Sequence, residues 1–154
     1  MMNTEQDIIR LTDRMRRLCS RREYCKSDIL KKAMTALQGN EEGAAKVLDI
    51  LVAEKYVDDL RYATAYAREK AMISGWGETK IRYMLSAKRI DRSLVDQALT
   101  EIDGDRADSR LRKLLENKAN TLKADPQIRL KLLRFALGRG YQYDDVVRVL
   151  QDIL

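Results

Sequence analysis

Apolar side chains recur every three or four residues along most of the chain, which is the spacing of one face of an α-helix. The first such stretch runs from about Thr4 to Leu18, and its apolar stripe consists of Ile8, Leu11, Met15, Leu18 and Cys19. One Pro and seven Gly among 154 residues leave few signals for strands or loop-rich structure. The pattern therefore predicts an all-α protein.

The apolar pattern repeats itself along the chain. A shift of 51 residues superposes Ile81 on Leu132, Met84 on Phe135, Ile90 on Tyr141, Val95 on Val146, Leu99 on Leu150 and Ile102 on Ile153. A looser copy, which requires a gap, precedes these two. Repetition with such a period is typical of arrays of helical units. We expect an elongated tandem array of three three-helix repeats, over residues 1–57, 58–103 and 104–154.

Polar caps predict the helix starts in the first repeat. Ser20 and Glu23 can form a capping box that opens the second helix, although a start two or three residues later is also compatible. Asn40 is expected to cap the third helix, whose first turn carries Glu41 and Glu42 beside the positive helix end. The third helix is expected to end near Lys55.

Caps and glycines also delimit the helices of the second repeat. Asp58 or Asp59 can cap its first helix, and Gly75 ends that helix. Gly77 is expected to be the next N-cap, between the staple partners Trp76 and Ile81, although Trp76 could instead anchor a partner. Asp91 is expected to cap the last helix. The inward positions of the first helix are Tyr62, Ala63, Tyr66, Ala67 and Ile73, of which the tyrosines could alternatively contact a partner.

In the third repeat, the first helix is expected from about Arg106 to Leu122. The second helix begins at Asp125-Pro126, with the proline at its first helical position, and ends at Gly138 and Gly140. Asp144 or Gln142 opens the last helix.

The composition argues against several classes of protein. The chain has no His, and it contains no HExxH, Walker, GxSxG or CxxC pattern, so we expect no enzyme and no cofactor. Cys19 and Cys25 are expected to be reduced, buried thiols rather than a redox pair. No apolar run approaches the roughly eighteen residues of a membrane span, and the start lacks a signal-peptide core. We expect a soluble, cytoplasmic protein.

Charge alternates along the chain with the helix order. The net charge is +4 over residues 1–32 and −4 over 41–60, then +4 over 68–92 and −4 over 93–105. Residues 106–140 carry +7 and residues 141–154 carry −2. The first two helices of each repeat are therefore basic, and the third is acidic. Basic helices in register could attract a polyanion or an acidic protein surface, whereas ordinary solvated faces with intramolecular pairing are the alternative.

Four arginines share one side of the first helix. At about 100° per residue, Arg10, Arg14, Arg17 and Arg21 fall within roughly a 60° sector almost opposite the apolar stripe. The row has no obvious acidic partners at the same spacing. The row fits an anionic partner and a solvated face about equally well.

The middle of the chain carries a distinctive series of residues: the segment Tyr56-Val57-Asp58-Asp59-Leu60-Arg61-Tyr62-Ala63, and then Tyr66, Arg68, Gly75, Gly77, Lys80-Ile81-Arg82, Leu85 and Lys88-Arg89-Ile90. In these residues the chain resembles the RecX family, bacterial regulators of the RecA recombinase. Weaker matches extend it to Arg134-Phe135, Arg139-Gly140-Tyr141 and the closing Val146, Val149 and Leu150. The chain departs from the family pattern at Arg89, where Gly is typical, and at Lys55, where Gly is frequent.

The resemblance implies a curved helical array that lies in the groove of a RecA filament on single-stranded DNA. Members of the family limit ATP hydrolysis, strand exchange and filament extension, and some bind DNA weakly. We expect the recombinase filament as partner, with single-stranded DNA contacted directly or through it, and a monomer that does not bind membranes. A stand-alone DNA- or RNA-binding protein is the alternative. The candidate contact residues are Arg10, Arg14, Arg17, Arg21, Arg61, Arg68, Lys80, Arg82, Lys88, Arg89, Arg134 and Arg139.

Overall fold

The computed structural model describes residues 4–102 and 104–154, and within this part the regular structure is entirely α-helical. The helices are α1 (Glu5–Arg21), α2 (Lys26–Ala36), α3 (Glu41–Ala53), α4 (Asp59–Met72), α5 (Glu78–Ala87), α6 (Arg92–Leu99), α7 (Gly104–Asn120), α8 (Ile128–Gly138) and α9 (Tyr143–Ile153). The all-α prediction is confirmed.

Three successive helix trios each bury their own apolar cluster. Helices α1 to α3 enclose the first, α4 to α6 most of the second, and α7 to α9 the third. Four of the six pairs superposed by the shift of 51 are buried in both later clusters, and Ile81 and Leu132 are fully buried. Ile102 and Ile153 pack against these clusters partly buried, whereas Met84 is exposed and Phe135 is half-buried, so the shared core position expected for that pair is wrong. Because each helix buries one stripe, the 3.6-residue periodicity and the packing agree. The prediction of a repeat fold of three-helix units is confirmed; the boundaries at 57 and 103 stay a prediction.

Two of the expected caps form as hydrogen bonds. The Asn40 side chain accepts from the Gly43 N–H at 3.1 Å, and the Asp58 carboxylate accepts from the Arg61 N–H at 3.0 Å. The neighbouring Asp59 does not cap its own helix but accepts from the Lys26 N–H at 2.8 Å. Both aspartates therefore bind backbone N–H groups, one within the second repeat and one across to the first.

The prediction of a Ser20–Glu23 capping box is wrong. Helix α1 continues through Ser20, whose hydroxyl donates to the carbonyl of Arg16 within the same helix. Helix α2 begins at Lys26 with Cys25 as N-cap, five residues after Ser20 and therefore later than the alternative start as well. The capping box of this repeat is instead at the start of α1, where Thr4 and Asp7 bond each other's backbone.

Three expected helix ends also differ in detail. Asp91 is the N-cap residue of α6, but its side chain makes no capping hydrogen bond. Pro126 is not at the first helical position of α8, because Asp125 accepts from the Gln127 N–H and forms a turn before the helix begins at Ile128. Ile73 is 81% exposed rather than inward, since α4 ends one residue before it.

Other turn assignments agree with the structure. Gly75 has φ +71, which suits the turn after α4, and Gly77 is the N-cap of α5. Trp76 is partly buried against the second apolar cluster, of which Ile81 is a member. Gln142, the alternative to Asp144, is the N-cap of the last helix.

The first and second repeats join where the turn after α5 meets the start of α2. The Ser27 hydroxyl donates to the Lys88 carbonyl at 2.7 Å, and the Lys88 ammonium donates to the Asp28 carboxylate at 2.8 Å. Cys25 is fully buried and belongs to the apolar cluster of the second repeat. The first repeat thus contributes to the core of its neighbour.

The second and third repeats join in the same way, at the other end of α5. The Gly77 N–H donates to the Arg139 carbonyl at 2.7 Å, and the Thr79 N–H donates to the Gly140 carbonyl at 3.0 Å. Gly140 corresponds to Arg89 in the shift of 51, and both have positive φ, +94 and +59. The second helices of the repeats therefore follow one another head to tail, α8 to α5 to α2, with the junctions at opposite ends of α5.

Candidate functional site

Part of the positive charge is neutralised inside each repeat. In all three, an arginine on the first helix pairs with a carboxylate at or just beyond the end of the third. These pairs are Arg16–Glu54 at 2.7 Å, Arg68–Glu101 at 3.1 Å and Arg112–Asp152 at 2.7 Å. Each arginine directly follows a buried residue of its helix, Met15, Ala67 or Leu111. The intramolecular pairing that was the alternative interpretation of the charge pattern therefore exists, and it occupies a repeated position.

Several candidate contact residues have partners within the fold. Arg61 donates to Glu23 at 2.6 Å and to the carbonyls of Lys55 and Tyr56 at 3.0 and 3.1 Å, so that it fastens the turn before α4. Arg82 bridges Glu78 and Asp96 at 3.1 and 2.6 Å. Contact with a partner stays a prediction for both arginines, but each would have to give up an internal ion pair to make it.

Three further candidates lie at the repeat junctions. Lys88 pairs with Asp28, rather than with helix-end carbonyls. The Lys80 ammonium lies 4.3 Å from the centre of the Trp76 ring, and the Arg139 guanidinium lies 5.0 Å from that of Phe135. Arg139 also donates to the Ser74 carbonyl at 3.0 Å. Arg89 and Arg134 are exposed and have no ion pair within residues 4–102 and 104–154.

The arginine row on α1 differs from all of these. Arg10, Arg14, Arg17 and Arg21 are exposed, and in the described part of the chain none of them makes an ion pair or a side-chain hydrogen bond. Their charges therefore face water without a compensating carboxylate in contact. Because Arg16 on the same helix is fully paired, the open row is a property of this face and not of the whole helix.

Three of these arginines line a groove between α1 and α2. There they flank the apolar stripe of α1, so the prediction that the row lies almost opposite that stripe is wrong. Helices α1 and α2 both pack on α3 and touch each other less extensively, which leaves the groove open. We call it the α1–α2 groove. Its α1 wall carries Arg10, Arg14 and Arg17, and its α2 wall carries Lys31 and Lys32. Its floor is formed by Leu11, Met15, Leu18, Ala36 and Leu37, and two acidic residues, Asp7 and Asp13, also line it.

The contribution of α2 to this site was missed in the sequence. Lys31 and Lys32 count toward the positive charge of residues 1–32, but nothing in their spacing shows that α2 lies beside the arginine face of α1. The sequence did indicate that both lysines are exposed, because they lie outside the buried stripe of α2 formed by Ile29 and Ala33. Arg21, by contrast, lies on the predicted row but does not line the groove.

The titratable groups of the first junction are held in fixed charge states. Although burial opposes ionisation of Asp28, hydrogen bonds from Lys88 and Cys25 outweigh it and hold the Asp28 pKa below its usual value. The same contact raises the pKa of Lys88. Burial raises the pKa of the Cys19 and Cys25 thiols, so both remain protonated near neutral pH. Cys25 is buried as expected, whereas Cys19 is only half-buried, and both are free thiols.

The described residues lack two features that are typical of other classes of protein. None of the helices in this part of the chain is both long and apolar enough to cross a membrane. Across the same residues, no three His, Cys, Asp or Glu side chains are grouped as metal ligands would be.

Known proteins match this chain along most of its length. A family model described as the second three-helix domain of RecX matches residues 58–99, and one for the third three-helix domain matches residues 106–150. The chain is 34% identical to the regulatory protein RecX of Vibrio campbellii over 131 residues, which covers 84% of this chain and 82% of that protein. It is 31% identical to the regulatory protein RecX of Clostridium tetani over 113 residues, or 71% of this chain.

Solved structures share the fold, and lengths vary among the relatives. The crystal structure of RecX from Lactobacillus salivarius superposes with a TM-score of 0.86 at 22% identity, over 97% of this chain and 98% of that one. The chain spans about half the length of the clostridial relatives it matches. The two domain models together match more than half of the chain, and they fall on the second and third helix trios. With the close agreement to the Vibrio protein, these matches show that the chain belongs to the RecX family of regulatory proteins.

Proposed function

We propose that this chain regulates the RecA recombinase, mainly as an inhibitor, by binding the filament that RecA forms on single-stranded DNA. It limits ATP hydrolysis, strand exchange and filament extension in DNA repair and recombination. It acts as a cytoplasmic monomer without catalytic activity of its own. Membership of the RecX family supports the regulatory role, since the relatives are named as regulatory proteins.

The observation that carries the proposal is the unpaired arginine row of α1. Elsewhere in the fold, arginines at the repeated first-helix position are neutralised by carboxylates, as in Arg68–Glu101 and Arg112–Asp152. Arg10, Arg14 and Arg17 keep their charge available, beside Lys31 and Lys32. A nucleoprotein filament is a long anionic target, and unpaired cations on one face steer association toward it and supply contacts on arrival.

The direct test is ATP hydrolysis by the host recombinase on single-stranded DNA. We expect the wild-type protein to slow turnover at equimolar or lower concentration, because binding along the filament holds many recombinase subunits at once. Omission of the recombinase provides the background rate. Unchanged turnover with equimolar protein present would refute the proposal.

A matched pair of charge reversals tests the surface. We expect Arg14→Glu combined with Arg17→Glu to raise the protein concentration needed for half-inhibition by about tenfold, which corresponds to about 1.4 kcal/mol. Arg92→Glu combined with Lys123→Glu causes the same change in net charge at two exposed residues that have no ion pair in the described structure. The control variant should inhibit as the wild type does. Equal inhibition by both variants, with circular dichroism showing both folded, would remove the α1 row from the mechanism.

Direct nucleic-acid binding is the alternative, since unpaired arginines also contact phosphates. A direct DNA binder loses affinity steeply with added salt through counterion release. The partly buried rings of Tyr24 and Trp76 are each approached by two cations, Arg22 and Lys32 for the first and Lys70 and Lys80 for the second. Rings in this arrangement offer little free face for base stacking, but Tyr83 and Tyr143 are exposed, so the salt dependence of binding and not ring exposure separates the two targets.

A further inference from the structure

The α1–α2 groove combines cationic walls with an aliphatic floor. Its walls carry three arginines and two lysines that make no ion pair in the described structure, although hydrogen bonds from Thr4 and, to a smaller extent, the charge of Arg10 lower the pKa of the nearby Asp7. Beneath them lie Leu18 and Ala36, which are half-buried, and Leu11, Met15 and Leu37, which are almost fully buried. A surface of this kind presents two different attractions to one ligand: charge at the edges and apolar contact at the base.

The spacing of the wall residues matches that of one helix lying on others. Arg10, Arg14 and Arg17 are separated by four and three residues, which is two turns of α1 or about 10 Å along its axis. Acidic residues at i, i+4 and i+7 of a helix laid along the groove would face them at the same interval. Apolar residues of that helix, on the neighbouring face, would then meet the floor between α1 and α2.

We propose that the α1–α2 groove binds an acidic amphipathic helix of a partner protein. This inference rests on the proposed function, because it assigns the chemistry of the partner segment that the regulatory site recognises. The aliphatic floor contributes by burying the apolar face of the segment, and the five cations select its acidic flanks. Arg14 is central, since it lines both halves of the groove.

Single-stranded nucleic acid fits the groove less well. Proteins that bind single strands combine cations with aromatic rings on which the bases stack, and no aromatic residue lines the groove among the described side chains. An aliphatic floor adds little to the binding of a phosphate backbone.

The test uses synthetic peptides and the full-length protein without recombinase. The probe is a fluorescein-labelled 18-residue helical peptide with Leu at i, i+3, i+4 and i+7 spacing and Glu or Ala elsewhere. The comparison peptide has the same composition in scrambled order, which keeps the charge and removes the apolar face. A labelled 18-nucleotide oligo-dT is the third probe. Affinities are measured by fluorescence anisotropy at low and physiological salt.

Two variants separate the charged walls from the floor. We expect Arg14→Glu combined with Arg17→Glu to weaken the amphipathic peptide at least tenfold. Ala36→Gln enlarges a half-buried floor residue without changing charge, and we expect it to weaken the same peptide about fivefold while leaving oligo-dT binding unchanged. Arg92→Glu combined with Lys123→Glu is again the matched control and should bind as the wild type does.

Each result has a defined meaning. Preference for the amphipathic over the scrambled peptide, lost in both groove variants, supports the inference. Equal binding of the two peptides overturns it, and so does wild-type binding by the folded groove variants. Oligo-dT binding that depends on Arg14 and Arg17, with no peptide preference, makes the groove a phosphate site instead. Because no recombinase is present, failure here with intact inhibition of ATP hydrolysis refutes only the groove assignment, whereas the reverse result refutes only the proposed function.

Discussion

Gly140 occupies the tightest contact between two repeats, and its replacement by Ala should loosen the junction of the second and third. A Cβ at this residue would lie 2.3 Å from the Lys80 Cβ and 2.6 Å from the Lys80 backbone N. The second distance is to backbone, so rotation of a side chain does not relieve it. Gly140 also has φ +94, a conformation that residues with a Cβ rarely adopt.

The expected loss is about 3 kcal/mol of unfolding free energy. The unfavourable φ costs roughly 1–2 kcal/mol. Displacement of α5 from the turn after α8 adds about 1–3 kcal/mol, as overpacking does in a well-packed site. For a chain of this size, each kcal/mol lowers the melting temperature by roughly 2–4 °C. Gly140→Ala should therefore melt about 10 °C below the wild type.

Thermal unfolding followed by circular dichroism at 222 nm measures this, and Gly138→Ala is the matched control. Gly138 is the last residue of α8, a Cβ there would have nothing within 4 Å, and its φ is not positive. Because Ala is the better helix former, the control should melt at or slightly above the wild-type temperature. A Gly140→Ala protein within 1 °C of wild type, or an equal loss in both variants, would show that the junction is not constrained as described.

Two further predictions concern single aspartates. Asp58→Ala should lower the unfolding free energy by about 1 kcal/mol, because it removes the cap on the Arg61 N–H. Asp91→Ala should change the unfolding free energy by less than about 0.5 kcal/mol, since the Asp91 side chain makes no capping hydrogen bond. Urea denaturation of both variants measures the difference. Asp28→Asn should cost roughly 1 kcal/mol near neutral pH by breaking the pair with Lys88. The Asp28 pKa is lowered in the folded state, so its stabilising effect is present above the unfolded value of about 3.9 and is lost as the pH falls through the folded value. The difference between Asp28→Asn and wild type should therefore shrink below about pH 4, and a constant difference down to pH 2 would contradict this.

The helical repeats could be predicted from the sequence because side-chain periodicity reports burial directly. Ile81 and Leu132 have equivalent positions in the pattern and equivalent burial in the structure. Local capping was predictable where one residue decides it, as at Asn40. The prediction of a cap failed at Ser20, because α1 continues to Arg21 and the polar residues there lie on its exposed side. The prediction of the helix start failed at Pro126, because the turn formed by Asp125 precedes α8.

Contacts between helices distant in sequence could not be predicted. The sequence shows the arginines of α1 but not that Lys31 lies across a groove from them. It also does not show that Arg61 is held by Glu23, 38 residues earlier. One signal was present and unused: the shift of 51 places Arg89 on Gly140, which points to a left-handed turn at both residues. Side-chain contacts between repeats depend on how the repeats pack against each other, and neither composition nor residue spacing predicts that packing.

The head-to-tail order of α8, α5 and α2 has a consequence for how the chain can vary in length. The three helices have 11, 10 and 11 residues, whereas the first helices of the repeats have 17, 14 and 17 and the third helices 13, 8 and 11. One residue inserted into α5 would shift the terminal repeats apart by about 1.5 Å and rotate one against the other by about 100°. The lengths of the second helices therefore set the spacing and rotation between successive repeats along the array.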